Sequence, residues 1–300
     1  MEGLKNLLDL PDDVLVEIIN ILTCYRNELV RLSYVRSVCR KFDTIFDRYC
    51  KPVYFRKITP LANTNDSQLM SISNFIQRFS VGYWYDKTNI VRNMTNLTSL
   101  TINSKHTTGK VFLELPKLSC VILGPMNISV TNDDLIMIAT RLTKLSLHIE
   151  PQITSDGLIK LTNLTNLKLW GTLTITDDAI SKLTNLKKIT LKWNSDITGK
   201  CLLNLPVLEE LNIRSNTSVR PDYVSVLVNL KRLIVHNNMM IFPEHIIGLT
   251  NLSYLDITQS GHLHHMSIYS MPSLRYIRKG LCHRAVCVPH KWPNLNFTIV

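Results

Sequence analysis

Glycine is scarce, at ten residues in 300, and none is gathered into a loop that could cradle a phosphate. A Gly-x-Ser-x-Gly elbow, a His-Glu-x-x-His pair and a cysteine set beside a histidine as a nucleophile are all missing. The chain therefore offers no catalytic site of its own, and no cofactor is expected. No uncharged apolar run approaches the roughly 20 residues that a bilayer span requires. The start, MEGLKNLLDLPDD, lacks a basic region followed by an apolar stretch, so no membrane partner is expected and the reading is intracellular, cytoplasmic or nuclear. Seven cysteines (Cys24, Cys39, Cys50, Cys120, Cys201, Cys282 and Cys287) are odd in number, scattered, and form no Cys-x-x-Cys pair. That excludes a disulfide framework and fits a reducing compartment.

Acidic residues are the scarcer charge: 34 Lys and Arg stand against 23 Asp and Glu. Residues 1–50 hold seven basic and eight acidic side chains, leaving 27 against 15 downstream. The whole excess lies in the last 250 residues and favours an acidic partner.

What the sequence does have is a repeat. Leu-x-x-Leu-x-Leu begins at Leu97 and recurs from Leu118, Leu142, Leu164, Leu186, Leu208, Leu230, Leu252 and Leu274, with a truncated version from Leu295. Six consecutive spacings, Leu142 through Leu274, equal 22. Three further apolar columns run in phase, among them Ile153, Ile175 and Ile197, then Leu158, Ile180 and Leu202, then Leu161, Leu183 and Leu205. Period-2 pairs such as Leu167 and Leu169 predict a short strand with one buried face. The second half of each unit switches to helical spacing, with Thr131, Thr154, Thr176 and Thr198 at positions suited to an N-cap. A single unit cannot cover its own apolar side, whereas stacked units can.

These residues resemble the leucine-rich repeat, whose pattern adds Asn or Cys three positions after the last strand Leu. Asn194, Asn216 and Asn238 sit there, with Cys282 as a further match, while Glu150, Thr172 and Ser260 depart. The resemblance implies an α/β fold, a solenoid of about ten 22-residue repeats on a curved parallel sheet over residues 94–300. It also implies a buried Asn ladder intact only in the middle. Ile76-x-x-Phe79-x-Val81 reads as a degenerate first repeat within a helical, transitional segment 51–93. At the other end the last strand needs shielding by Trp292 and Phe297 or by a partner. The sequons at Asn163 and Asn251 are assigned to buried or strand segments, as accidents of Asn and Thr abundance.

Leu10-Pro11-Asp12-Asp13, followed by Val14, Leu15, Ile18, Ile19 and Leu22, predicts a proline-opened amphipathic helix. A second helical series runs from Leu29 to Phe46. So few residues cannot enclose a core, and an exposed apolar stripe is expected. The segment 1–50 resembles an F-box through Leu10-Pro11, Leu15, Ile18, Leu22 and then Val38-Cys39-Arg40-Lys41-Phe42, with a longer connection and Phe where Trp is commoner. That resemblance implies docking on a Skp-family adaptor of a cullin-RING ubiquitin ligase. Leu10, Pro11, Leu15, Ile18 and Leu22 would lie at the interface, and Val38, Cys39 and Phe42 would complete it. An N-terminal F-box before leucine-rich repeats is the architecture of substrate receptors. The alternative is an interaction scaffold unconnected with ubiquitin, whose first helices only cap the repeats.

Strand alternation assigns Lys144, His148, Lys168, Trp170, Lys188, Lys192, Trp193, Arg214, Arg232, His236, Tyr254, Asp256, Tyr276 and Arg278 to the concave face. That basic, aromatic face is the expected client-binding surface, for an acidic or phosphorylated protein segment. Nucleic acid is the weaker alternative, because no nucleic-acid module is present and the charge is spread along the array. Cys282, His283, Cys287 and His290, with His262, His264 and His265, carry zinc-type donors, but Cys-x4-Cys-x2-His matches no known geometry. No metal is assigned there.

Overall fold

The computed structural model describes residues 70, 73, 76–82, 88–125, 127–149, 152–263, 266–279 and 296–299. The F-box residues Leu10, Pro11, Leu15, Ile18, Leu22, Val38, Cys39 and Phe42 lie outside them, as do Glu150, His264, His265, Cys282, His283, Cys287, His290 and Trp292. Compactness divides the chain into two units, residues 1–118 and 119–300.

In the first unit, strands β1 (Arg78–Val81) and β2 (Ser99–Ile102) pair in parallel, with Phe79 opposite Leu100 and Val81 opposite Ile102. Ile76, Phe79 and Val81 are buried. Strand β1 thus lies inside the segment 51–93, where the sequence suggests a degenerate repeat. A short helix, Thr88–Val91, and a 3-10 turn, Gly109–Glu114, return the chain and bury Ile90, Val91, Val111 and Phe112.

The second unit carries β3 (Cys120–Leu123), β4 (Lys144–His148), β5 (Asn166–Trp170), β6 (Lys188–Lys192) and β7 (Glu210–Asn212), followed by β8 (Arg232–Ile234), β9 (Tyr254–Asp256), β10 (Tyr276–Lys279) and β11 (Asn296–Ile299). Each pairs in parallel with the next. The register reproduces the sequence period: Leu145, Leu167, Ile189, Leu211, Leu233, Leu255 and Ile277 stand in line across the sheet. Every one of them is at most 2% exposed, so each removes about 2 kcal/mol of apolar surface from water. No helix among the described residues is long and apolar enough to cross a membrane.

Opposite the strands lie helical or 3-10 turns of three to five residues, such as Asn132–Ile136, Ser155–Leu158, Asp177–Ser181 and Lys200–Asn204. Thr131, Thr154 and Thr176 do occupy N-cap positions; Thr131 closes a capping box with Asp134, whose carboxylate accepts the Thr131 N–H at 2.9 Å, whereas the hydroxyls of Thr154 and Thr176 do not cap their own turns. Thr154 Oγ1 accepts from Asn132 Nδ2 of the preceding repeat at 2.9 Å. Thr198 precedes the N-cap, which is Gly199 at φ 89°. Its N–H and hydroxyl both donate to Asp177 of the preceding repeat, at 2.8 and 2.9 Å. From Thr154 onward, the polar positions of these turns stitch repeats together.

The Asn ladder is longer than its consensus letters suggest. Asn216 and Asn238 donate to backbone carbonyls of the preceding strand and turn, and each accepts two N–H groups of its own loop. Thr172, at 1% exposure, accepts Asn194 Nδ2 on its hydroxyl at 2.8 Å. Ser260, fully buried, donates to the Val235 carbonyl at 2.7 Å and accepts the Asn238 N–H. Asn127 accepts the Val130 N–H just as Asn216 accepts that of Val219. The interruption expected at Ser260 is therefore corrected, since a small buried hydroxyl that both donates and accepts continues the rung; Thr172 only accepts the next rung's amide, and Asn194 Oδ1 finds no partner among the described residues.

A second ladder, on the opposite edge, also corrects the reading of the sequons. Asn163 and Asn251 are exposed turn residues whose amides donate to Thr140 and Val228 carbonyls at 3.0 and 2.8 Å. Asn185 and Asn229 do the same toward Thr162 and Pro206. The asparagine before Leu164, Leu186, Leu230 and Leu252 has a structural cause and is not an accident of composition.

Candidate binding surface

With Leu and Ile facing the core, strand alternation directs the intervening residues outward. On β4, β5 and β6 these are Lys144, Ser146 and His148, then Asn166, Lys168 and Trp170, then Lys188, Thr190 and Lys192. His148, Trp170 and Lys192 stand side by side in the register. The His148 and Trp170 rings are 4.2 Å apart between centroids. Lys192 Nζ lies 4.8 Å from the Trp170 ring and 3.9 Å from that of Trp193. One ammonium thus sits against two indoles, each contact worth about 0.5–1 kcal/mol at an exposed site. Burial, with Lys168 and Lys192 nearby, holds the His148 imidazole below its ordinary pKa, while its Nε2 lies 3.2 Å from Ser146 Oγ.

Trp193 reaches this cluster by a route that alternation does not provide. It follows Lys192, so a continued strand would turn it inward. Its φ of 55° ends the strand in the left-handed region and leaves the ring 60% exposed. The same turn recurs one residue past β4 and β5, at Ile149 and Gly171, and three residues past the shorter β7, β8 and β9, at Ser215, Asn237 and Gln259. Through it, Ile149 N–H donates to Trp170 O and Gly171 N–H to Lys192 O, both at 2.9 Å, prolonging the parallel ladder while swinging the next residue into the buried rung.

Acids are sparse on this part of the face. Among the described residues, the outward positions of β4 to β6 hold no carboxylate, and on β7 Glu210 is paired with Lys188 at 2.6 Å. Among the described residues, no carboxylate pairs with Lys144, Lys168 or Lys192.

Farther along, the expected residues divide into two more groups. Arg232 stacks over Tyr254, 3.5 Å to the ring centroid, in an open groove of about 410 Å³ lined by Glu210, Lys231, Arg232, Ser253, Tyr254 and Tyr276. Lys231 is paired with Glu209 at 2.9 Å. Beyond the opposite strand ends, Arg278 approaches the buried Asp256 carboxylate at 3.7 Å. His236 is held below its ordinary value by burial and by Arg214, with Asp256 opposing. The single basic face expected from sequence is therefore three clusters: an acid-poor aromatic one on β4 to β6, an Arg–Tyr groove, and an internally compensated Arg–Asp–His group.

Strand alternation does not mark Ile149 and Leu173, which are 61% and 68% exposed. Their exposed apolar character was visible, but nothing in strand periodicity marks residues of a left-handed turn. Cys201 is buried, and burial followed by the Asp177 charge pushes its thiol far up, which suits packing and not reactivity. No group of three His, Cys, Asp or Glu able to hold a metal occurs among the described residues.

Phased strands, inward leucine columns and a buried Asn ladder define a leucine-rich-repeat architecture. No protein-family model matches the sequence, and no curated protein matches it. Solved structures similar to it include leucine-rich-repeat proteins. An internalin (InlF) of Listeria monocytogenes is 20% identical over 78% of this chain and 63% of its own, with a TM-score of 0.44. The functional domain of InlJ from the same organism is 17% identical over 79% and 51%, at 0.47. TLR13 in complex with ssRNA13 is 21% identical over 74% and 38%, at 0.48. The chain spans between 38% and 63% of the length of these solved chains.

Proposed function

We propose that the chain is a non-enzymatic interaction scaffold whose outward strand face captures an acidic, or phosphorylated, segment of a partner protein. The observation that carries this reading is the His148–Trp170–Lys192–Trp193 cluster on a surface without a facing carboxylate among the described residues. Aromatic rings and cations of this kind supply most of the binding energy in protein interfaces. Exchanging Lys168, Trp170, Lys192 and Trp193 together for Ala tests it by quantitative affinity capture. Loss of a discrete set of captured proteins is expected; unchanged capture refutes the reading.

A finer version makes the captured protein a client of a cullin-RING ubiquitin ligase, and so places the chain in the cytoplasm or nucleus. It rests on the sequence of residues 1–50: Leu10-Pro11, Leu15, Ile18 and Leu22, followed by Val38-Cys39-Arg40-Lys41-Phe42. In that role the chain contributes proximity, raising the effective concentration of client lysines near activated ubiquitin. Co-purification of a Skp-family adaptor and cullin, abolished by exchange of Leu15 and Ile18 for Asp, is the expected result. Absence of both from the intact chain leaves the scaffold reading alone.

A further inference from the structure

The groove across β7 to β10 differs in chemistry from the cluster on β4 to β6. Glu210, Arg232, Tyr254 and Tyr276 each open a strand and stand side by side in the register. Leu211, Leu233, Leu255 and Ile277, the residues that follow them, are buried, so these four side chains point away from the core. Three strand spacings of about 4.8 Å make the row about 14 Å long. The groove along it holds about 410 Å³, with Lys231 and Ser253 completing its lining.

Most of the charge around it is already matched. Lys188 holds Glu210 at 2.6 Å, and Lys231 holds Glu209 at 2.9 Å. Among the described residues, no carboxylate pairs with Arg232. Its Cζ lies 3.5 Å from the centre of the Tyr254 ring, a stacking distance at which the ring covers one side of the guanidinium and fixes its plane. Guanidinium N–H bonds lie in that plane and point outward from its edge, so stacking leaves them able to donate. No hydrogen bond among the described residues engages the Tyr254 or Tyr276 hydroxyl, and Tyr276 is 52% exposed. One uncompensated fork and two phenol donors thus share a groove with aromatic walls.

The complementary ligand carries one negative charge on two coplanar oxygens, held on a short apolar stem. A carboxylate matches the fork with two parallel hydrogen bonds. A phosphoryl group carries about −1.5 to −2 at neutral pH, and its excess charge would go unmatched unless Lys231 gave up Glu209. We infer that the groove is a second subsite, which takes a glutamate side chain of the partner with its carboxylate on the Arg232 fork and its stem against Tyr276. The inference rests on the proposed protein-binding role of the outward face and adds an anchor outside the β4 to β6 cluster. It also separates protein from nucleic acid, which has no carboxylate to offer.

The test uses the full chain with carbon-13-labelled tyrosine rings, read by NMR, with Tyr254→Phe and Tyr276→Phe assigning the two resonances. N-acetylglutamate α-amide is the probe, and the corresponding glutamine and O-phosphotyrosine compounds are the controls. Saturable shifts at both tyrosines are expected, with the glutamate probe bound about ten-fold or more tighter than the glutamine one, as charge-assisted hydrogen bonds require. It should also bind no more weakly than the phosphotyrosine compound. Arg232→Gln should erase the preference, and Arg232→Lys, which keeps the charge and loses the fork, should weaken glutamate binding about five-fold. Circular dichroism verifies that each variant is folded. Equal affinity for the glutamate and glutamine probes, a preference that survives Arg232→Gln, or no saturable shift up to about 50 mM overturns the subsite. Phosphotyrosine bound about ten-fold tighter than glutamate overturns the carboxylate assignment. Capture of partner proteins after exchange of Lys168, Trp170, Lys192 and Trp193 for Ala is measured in parallel. A groove that fails beside lost capture overturns the subsite alone; a groove that binds glutamate beside unchanged capture overturns the reading of β4 to β6 alone.

Discussion

Asn238→Ala isolates what the ladder contributes. The Asn238 side chain is fully buried and makes four hydrogen bonds. Its amide donates to the Asn216 carbonyl at 2.6 Å and the Ile213 carbonyl at 3.3 Å, and its oxygen accepts the Met240 and Ile241 N–H groups at 2.9 and 3.2 Å. Truncation strands these groups at a desolvation cost of about 1–3 kcal/mol for each that water cannot reach. Met240 is exposed and Ile241 is not, so its neighbours recover part of the loss, and the expected penalty is about 3–4 kcal/mol. That is a large share of a typical folding free energy of about 5–15 kcal/mol. Asn229→Ala is the internal control. Its exposed amide makes one bond, to Pro206 O at 3.1 Å, and its loss should cost about 0.5–1 kcal/mol. Urea unfolding followed by far-ultraviolet circular dichroism reads both. With an m-value of about 3 kcal/mol per molar, the Asn238 variant should unfold about 1 M earlier than the parent chain. Midpoints for the two variants within about 0.2 M of each other would refute the claim that buried rungs, rather than asparagine as such, hold the stack.

Three further outcomes follow from the turns. Burial alone would raise the Asp177 carboxyl, but the N–H groups of Cys201 and Thr198, with the Thr198 hydroxyl, outweigh it and hold the pKa below the ordinary value. A depressed folded value means that its stabilisation is complete above the unfolded carboxyl pKa of about 3.9 and is lost as pH falls through the folded one. Asp177→Asn should therefore lower the urea midpoint at pH 6 and shrink the difference from the parent chain below pH 4; a constant difference over pH 3–6 contradicts it. Gly199→Ala combines φ 89° with a Cβ only 2.8 Å from Val219 Cγ1, and should cost about 2 kcal/mol or more, read as a lowered melting temperature. Cys201, with its thiol buried and its pKa raised, should resist Ellman's reagent in the folded chain and react only as fast as the chain unfolds; rapid labelling under native conditions would contradict its packing role.

Some of this was plain in the letters and some was not. The inward columns from Leu142 to Leu274 announce the register residue by residue, because burial on one face of a strand tolerates little besides aliphatic side chains. The ladder is legible only where it is written in Asn, since the Ser260 hydroxyl continues it with one donated and one accepted bond that no consensus letter marks. Asn163 and Asn251 misled for the opposite reason: their bonds run across repeats at an exposed edge, where hydropathy carries no signal. Among the binding residues, Lys168, Trp170 and Lys192 fell out of alternation. Trp193 was placed on the face for the wrong reason, because its outward ring depends on a left-handed backbone that periodicity cannot express. Ile149 and Leu173 were missed on the same ground. Arg278 and Asp256 looked like binding groups and partly neutralise one another, a fact of three-dimensional register between β9 and β10.

The central claim, that the outward face of β4 to β6 is where a partner protein docks, is tested most directly by site-specific photo-crosslinking in cells. A photoreactive amino acid replaces Lys168 on that face in one experiment and Leu203, 53% exposed on the helical side, in another. Covalent adducts from position 168, mapping to an acidic or phosphorylated segment, and none from position 203 are the predicted result. Adducts from position 203 alone would contradict the account.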